Sequence, residues 1–203
     1  MNEKIYILVF VLLVTAFFGA LVSGLNAGLS ERIELNKQVA EERVILALFG
    51  NEGINDMPAQ EVARLFQEDI EAVTTGDYTY YRQRSGGSAL CVIPMDGMGF
   101  WDRIKGYLAY DRASRTLKGI AFTENKETPG LGGRIEEPQW RVQFDGLTLG
   151  VPDNEGRYVR VVSPGSKHPE RAEVDAVTGA TGTSQAVERI VNASIRRFLE
   201  RTQ

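Results

Sequence analysis

The sequence predicts an α+β fold in which helices flank a strand-rich middle. Apolar or amphipathic helical patterns fill most of the first 73 residues, and another helical pattern follows residue 183. Between residues 78 and 162 the apolar runs shorten and are bounded by Gly, Pro and Asp, as in strands and turns. Because helices and strands are segregated along the chain, we expect an antiparallel or mixed sheet with flanking helices rather than alternating β-α-β units.

The first element is a candidate transmembrane helix. The run Ile5–Ser23 is almost continuously apolar and carries no charge, and about 20 such residues cross a bilayer. A cleaved signal peptide is the alternative, although its apolar region usually has about 7–15 residues. Lys4 precedes the span and mixed charges follow it, which favours an internal amino end and an external domain. We expect an anchor over residues 1–30, a stalk helix over 31–50 and one domain over 51–203.

The next elements follow from periodicity. The pattern Glu31–Phe49 predicts a helix stopped by Gly50, and Pro58–Val73 predicts a second helix. The apolar face of this second helix would carry Val62, Leu65, Phe66, Ile70 and Val73. Strands are expected at Leu90–Ile93, Gly106–Tyr110, Gly119–Phe122 and Tyr158–Val162.

Composition excludes several classes of function. The net charge is −4, and no run of basic residues suggests a nucleic-acid partner. The chain has one cysteine, Cys91, in an apolar run where we expect a buried thiol, and one histidine, His168, in a polar turn where we expect surface exposure. We therefore predict no intramolecular disulfide, no metal site and no catalytic triad. Rossmann and P-loop glycine patterns are also missing from the sequence.

The segment Asp175–Ser184 is the most unusual in the chain. It carries three threonines separated by small residues, and an apolar helical pattern follows at once. Small residues let another surface approach, and free N–H groups at a helix start favour a phosphate. A well-capped turn is the alternative interpretation. The threonines are Thr178, Thr181 and Thr183, and the small residues are Gly179, Ala180 and Gly182.

Two glycine-rich segments lie in the strand-rich middle. The segment Gly97–Gly106 contains adjacent Phe100 and Trp101, which could be core aromatics or a stacking wall. In Glu127–Gly133 the Pro-Gly pair indicates a turn, and the glycines could present bare backbone to a flat ligand. A tight surface turn is the alternative for this segment.

Together these motifs resemble those of a known family. In chain order they are Gly-Met-Gly-Phe-Trp-Asp-Arg-Ile-Lys-Gly, Glu-Thr-Pro-Gly-Leu-Gly-Gly, Pro-Gln-Trp and Asp-Ala-Val-Thr-Gly-Ala-Thr. They look like the FMN-binding domain of respiratory redox pumps, most closely the C subunit of the sodium-translocating NADH:quinone oxidoreductase (Nqr). The related G subunit of the Rnf complex shares two of the motifs and is closer in length, but more often has a different motif at Gly99–Trp101. Asn125 stands where the family usually has histidine.

The resemblance implies a single FMN-binding domain with covalent FMN. The flavin would be joined through its phosphate to Thr181 by a flavin transferase that uses FAD and Mg²⁺. Thr183 is the rival acceptor, although capping a helix that starts near Thr183 or Ser184 suits it better. Asp175 could serve transferase recognition or turn formation. The full expected site comprises Thr181, Thr178, Gly179, Ala180, Asp175, Thr183, Glu127, Thr128, Gly130, Leu131, Gly132 and Trp101.

The resemblance also implies a cellular setting. The chain would be a single-pass subunit of the bacterial inner membrane with its domain on the periplasmic side. Among the other Nqr subunits it would relay electrons within a complex that oxidises NADH, reduces quinone and exports sodium ions. The alternatives are the corresponding subunit of the Rnf ferredoxin:NAD oxidoreductase, and an anchored structural module without flavin.

Overall fold

The computed structural model describes residues 3–85, 87 and 89–202, and begins with a 46-residue helix, α1 (Glu3–Leu48). Residues 1–39 form one compact unit and residues 40–203 another. Within the described residues α1 is the one helix long and apolar enough to cross a membrane, which agrees with the expected anchor. α1 ends before Gly50, whose φ of +90° is the left-handed conformation that commonly follows a helix. The boundaries at residues 30 and 50 stay predictions.

The second helix is shorter than the sequence predicted. α2 (Ala59–Asp69) passes directly into a strand, β1 (Ile70–Thr75), which pairs in full with β2 (Tyr78–Gln83). The prediction that Ile70 and Val73 belong to the helix is therefore wrong. Both residues fit the helical period, but the run of β-branched residues that ends in Thr75 favours a strand, and pairing with β2 decides the outcome.

Five strands form one antiparallel sheet. The strands β3 (Leu90–Met98), β4 (Arg103–Asp111) and β5 (Thr116–Glu124) follow β1 and β2, and their order in the sheet is their order in the chain. The strands predicted between residues 90 and 122 are confirmed and are longer than predicted. β3 pairs with β4 over its whole length but with β2 at only two positions, Tyr81↔Val92 and Arg82↔Cys91.

Further elements follow the sheet along the chain. They are the short helix α3 (Pro138–Arg141), a parallel pair of strands β6 (Arg160–Val162) and β7 (Glu173–Asp175), and the terminal helix α4 (Thr181–Arg201). α4 packs on β3, and its apolar face joins the sheet in one core. Cys91 is buried in this core and His168 is exposed, as predicted. The fully buried core members include Ile93, Leu108, Val191 and Phe198.

One polar side chain ties α4 to the segment before β6. Asn192 is 4% exposed, and its Oδ1 accepts hydrogen bonds from the backbone N–H groups of Tyr158 (2.7 Å) and Val159 (3.0 Å). Its Nδ2 donates to the carbonyl oxygen of Val159 at 2.8 Å. Because buried backbone groups need partners, these bonds allow an irregular segment to lie against the core.

Candidate functional site

A cavity of about 190 Å³ lies at the amino end of α4. Three stretches of chain surround it: the loop after β3, the loop after β5, and the first turn of α4 with the residues before it. Its lining is mostly apolar and glycine-rich, with one carboxylate and three hydroxyl groups. The lining residues are Phe100, Trp101, Glu127, Thr128, Leu131, Gly132, Gly179, Ala180, Thr181, Gly182 and Thr183.

α4 begins at Thr181, two or three residues earlier than predicted. The backbone N–H of Ser184 donates to the carbonyl oxygen of Ala180 (3.0 Å), which starts the helical ladder. The hydroxyl of Ser184 accepts from the N–H of Val177 (3.0 Å) and donates to the same Ala180 oxygen (2.9 Å). These bonds fix the turn before the helix but leave its first N–H groups without a side-chain cap. The start of α4 is thus open to an anion.

The two candidate acceptor hydroxyls are in opposite environments. Thr181 is exposed at the cavity, whereas Thr183 is 3% exposed and its hydroxyl donates to Oε2 of Glu127 at 2.6 Å. The prediction that Thr183 caps the helix is wrong. Because α4 starts at Thr181, Thr183 is already its third residue and turns inward.

Glu127 joins the three stretches around the cavity. Its carboxylate is buried (5% exposed), and Oε1 accepts hydrogen bonds from the N–H groups of Phe100 (2.8 Å) and Trp101 (3.1 Å). Oε2 accepts the hydroxyl of Thr183, as described above. The loop after β3 and the first turn of α4 are therefore held by the same side chain.

Two glycines make room for this carboxylate. A Cβ on Gly99 would lie 2.5 Å from Oε1 of Glu127, and one on Gly132 would lie 2.5 Å from Oγ1 of Thr183 and 2.8 Å from Oε2 of Glu127. A carbon atom does not come this close to an oxygen atom to which it is not bonded, so either Cβ would displace the side chain of Glu127 or Thr183. Both positions therefore need glycine for the observed packing.

Phe100 and Trp101 form an exposed aromatic wall on one side of the cavity. They are 60% and 64% exposed, and their rings meet edge-on with centroids 5.2 Å apart. Of the two interpretations given for these residues, the core interpretation is wrong, because β3 ends at Met98 and the loop carries both rings outward. Leu131, also exposed, lies on the turn that Gly130 makes with a φ of +75°.

Most of the predicted site residues line the cavity. Thr178, Gly130 and Asp175 do not. Thr178 is exposed in the preceding turn, and Gly130 shapes the turn that presents Leu131. The carboxylate of Asp175 accepts hydrogen bonds from the N–H groups of Ser166 (3.1 Å) and Lys167 (3.2 Å), so it organises a neighbouring loop.

The predicted set omitted two lining residues, Phe100 and, packed against its ring, Gly182. A Cβ at this position would lie 2.5 Å from the ring of Phe100. The sequence signal was the small residue directly after Thr181, but only the structure shows that the Phe100 ring packs over Gly182.

Asn125, which stands where the family usually has histidine, supports Glu127. Its side-chain oxygen accepts a hydrogen bond from the backbone N–H of Glu127 at 3.0 Å.

Comparison with known proteins adds three findings. A family model described as "FMN-binding domain" matches residues 99–196. The C subunit of the Na(+)-translocating NADH-quinone reductase from Vibrio anguillarum is 35% identical over 136 residues, which cover 64% of this chain and 52% of the relative. The protein of the same name from Neisseria meningitidis serogroup B is 30% identical over 181 residues, covering 80% of this chain and 69% of the relative.

A solved structure confirms the fold. The crystal structure of the C subunit of the Na(+)-translocating NADH-quinone reductase from Parabacteroides distasonis matches with a TM-score of 0.70 at 23% identity, covering 85% of this chain and 96% of that one. The alignments with several of the curated relatives, including the Vibrio protein, span only about half the length of those relatives.

Proposed function

Since the chain belongs to the family of Na(+)-translocating NADH-quinone reductase C subunits, we propose that it carries FMN covalently on Thr181 and passes electrons within such a complex. One observation carries the proposal most directly. The exposed hydroxyl of Thr181 stands on the first turn of an uncapped 21-residue helix, beside a cavity with an aromatic wall.

The start of α4 suits the phosphate of FMN. Free N–H groups and the positive end of the helix dipole favour a negative group there, by about 0.3–1 kcal/mol and up to about 2 kcal/mol when partly buried. Thr181 supplies the oxygen for a phosphoester. Thr181 is exposed, so its hydroxyl is accessible to a second protein.

The cavity suits the flat ring system of FMN. Phe100 and Trp101 offer apolar surface on one side and Leu131 offers an apolar contact from the turn after β5. Bound FMN supplies one- and two-electron redox chemistry, and the protein supplies orientation and exclusion of water. The scarcity of His and Cys in the chain fits this division of labour, because the protein side chains need not react with substrate.

Attachment at Thr181 would be a phosphoryl transfer. The hydroxyl of Thr181 would supply the oxygen of the new phosphoester, while the pyrophosphate bond of FAD would break with AMP as the leaving group and the transferase would take up the threonine proton. Thr183 does not meet the needs of this reaction, because its hydroxyl is buried and bonded to Glu127.

The cellular setting completes the proposal. α1 would anchor the chain in the bacterial inner membrane with the flavin domain on the periplasmic side, where the transferase acts. The partners would be the other members of the sodium-exporting complex. The oxidation of NADH and the reduction of quinone would belong to the complex, with this chain as an electron relay.

The attachment can be tested in a denaturing gel. The full chain is co-expressed with a flavin transferase, and a fluorescent band that survives SDS, with a mass increase of one FMN less one water, is expected for the unmodified chain. Thr181→Ala should lose both signals. Thr178→Ala is the matched control and should keep them, because its hydroxyl is also exposed but lies outside the cavity.

A third variant separates the two candidate acceptor hydroxyls, those of Thr181 and Thr183. Thr183→Val keeps the branched shape and should keep the covalent flavin. If Thr181→Ala retains the covalent flavin and Thr183→Val loses it, the attachment site is Thr183 rather than Thr181. If the unmodified chain never becomes fluorescent when it is co-expressed with an active transferase, the proposed function is wrong.

A further inference from the structure

Glu127 is a buried carboxylate for which the attachment reaction has no use. Its three side-chain hydrogen bonds are all accepted, from the N–H groups of Phe100 and Trp101 and from the hydroxyl of Thr183. An ionised carboxylate has acceptor sites only, so three donors directed at its oxygens stabilise the charged form. The side chain also lines the cavity.

The charge on Glu127 has no paired cation within the part of the chain that the structure describes. The neighbouring basic side chains pair elsewhere: Lys126 with Asp102 at 2.7 Å, and Arg134 with Glu137 at 3.2 Å. The charge is stabilised by three hydrogen-bond donors and by the nearby amino end of α4. These dipoles favour the carboxylate without cancelling its net charge.

We propose that Glu127 lowers the reduction potential of the flavin by placing a negative charge at the wall of its cavity. This inference rests on the function proposed above. Each electron that arrives on the ring brings negative charge, and a carboxylate in a poorly solvated site opposes that charge more strongly than one in water. Charges near a cofactor are among the means by which a protein tunes its electronics.

A purely structural role is the competing explanation, because Glu127 also positions the aromatic wall. The substitution Glu127→Gln separates the two roles. The amide has the same shape, its oxygen can accept from Phe100 and Trp101, and its NH₂ group can donate to the hydroxyl of Thr183. The network would persist while the charge is removed.

The experiment measures the midpoint potential of the covalently flavinylated full chain in detergent by spectroelectrochemistry. Glu127→Gln should shift the potential to a more positive value, with an unchanged tryptophan emission spectrum before flavinylation. Glu136→Gln is the matched control. It also removes one negative charge from the segment after β5, but Glu136 is exposed, and the potential should move far less because solvent screens that charge.

A second variant gives a shift of the opposite sign. Thr183→Val removes one donor from the carboxylate but keeps the charge, so the potential should become more negative than in the unmodified chain. An unshifted potential in flavinylated Glu127→Gln, or equal shifts in Glu127→Gln and Glu136→Gln, would overturn the inference. A positive shift in Thr183→Val would overturn it too, because it would make the geometry of the network the cause. Absence of covalent flavin from the unmodified chain would instead refute the proposed function.

Discussion

Replacing Gly132 by alanine tests the packing at the centre of the site. The added Cβ would lie 2.5 Å from Oγ1 of Thr183, 2.8 Å from Oε2 of Glu127 and 3.0 Å from Cβ of Glu127. These atoms are buried and bonded to each other, so no flexible side-chain end can move aside easily. Either the backbone of the turn shifts or the bond between Thr183 and Glu127 opens.

The cost can be worked out from these alternatives. Overpacking a tight site typically costs about 1–3 kcal/mol, and losing a hydrogen bond to a charged group costs about 1.5–3 kcal/mol. Alanine has a lower chain entropy than glycine in the unfolded state, which offsets about 0.4–1 kcal/mol of this loss of stability. We expect Gly132→Ala to lower the free energy of unfolding by about 2 kcal/mol, which corresponds to a fall of about 4–8 °C in Tm.

Gly133→Ala is the matched control, because it places the same methyl group one residue further along. Its nearest contact would be the carbonyl oxygen of Thr128 at 3.4 Å, an ordinary van der Waals distance. Urea unfolding of the full chain in detergent, followed by circular dichroism, should give a lower midpoint for Gly132→Ala at unchanged slope. Gly133→Ala should remain within about 0.5 kcal/mol of the unmodified chain. Equal stability of the two variants would refute this account of the packing.

Two further predictions concern the rest of the domain. Asn192→Ala should lower the free energy of unfolding by about 2–4 kcal/mol in the same urea assay, because the backbone groups of Tyr158 and Val159 lose buried partners; a loss below about 0.5 kcal/mol would contradict the assigned bonds. Burial raises the pKa of Tyr78 and Tyr107 above the ordinary value of 10.0. The folded state therefore holds these protons more tightly than the unfolded state, so the contribution of the two tyrosines to stability should be fully present below about pH 10 and should be lost above it. Tyr107→Phe should weaken that decline, and an identical pH profile would count against the assignment.

The sequence predicted the fold where periodicity and turn signals agree. The long apolar run, Gly50 as a helix stop and the strands of the β3–β5 meander were all predicted correctly in kind, since each depends on local patterns. The end of α2 was predicted incorrectly, because Ile70 and Val73 fit both the apolar stripe of a helix and the pattern of a strand. Only the pairing of β1 with β2, a contact between segments, separates the two interpretations.

The residues of the candidate site were predicted mainly from motifs, but their arrangement in space was not predicted. Thr181, Leu131 and Trp101 were named because they belong to recognisable segments, and the structure brings them to one cavity. The inward turn of Thr183 depends on where α4 starts, and the observed start differs from the predicted one by two or three residues, a difference that sequence patterns do not resolve. The hydrogen bonds of Glu127 join residues 26, 27 and 56 positions apart, and no local pattern reports them.

The shared carboxylate has a consequence for how substitutions combine. Gly99, Gly132 and Thr183 come from three separate stretches, yet each contacts or makes room for the same side chain. Once one of them is changed and Glu127 has moved, a second change finds the interaction already lost. Double-mutant cycles among these positions should therefore give coupling energies of about 0.5–3 kcal/mol. These stretches would have to be altered together if the site were redesigned or transferred to another protein.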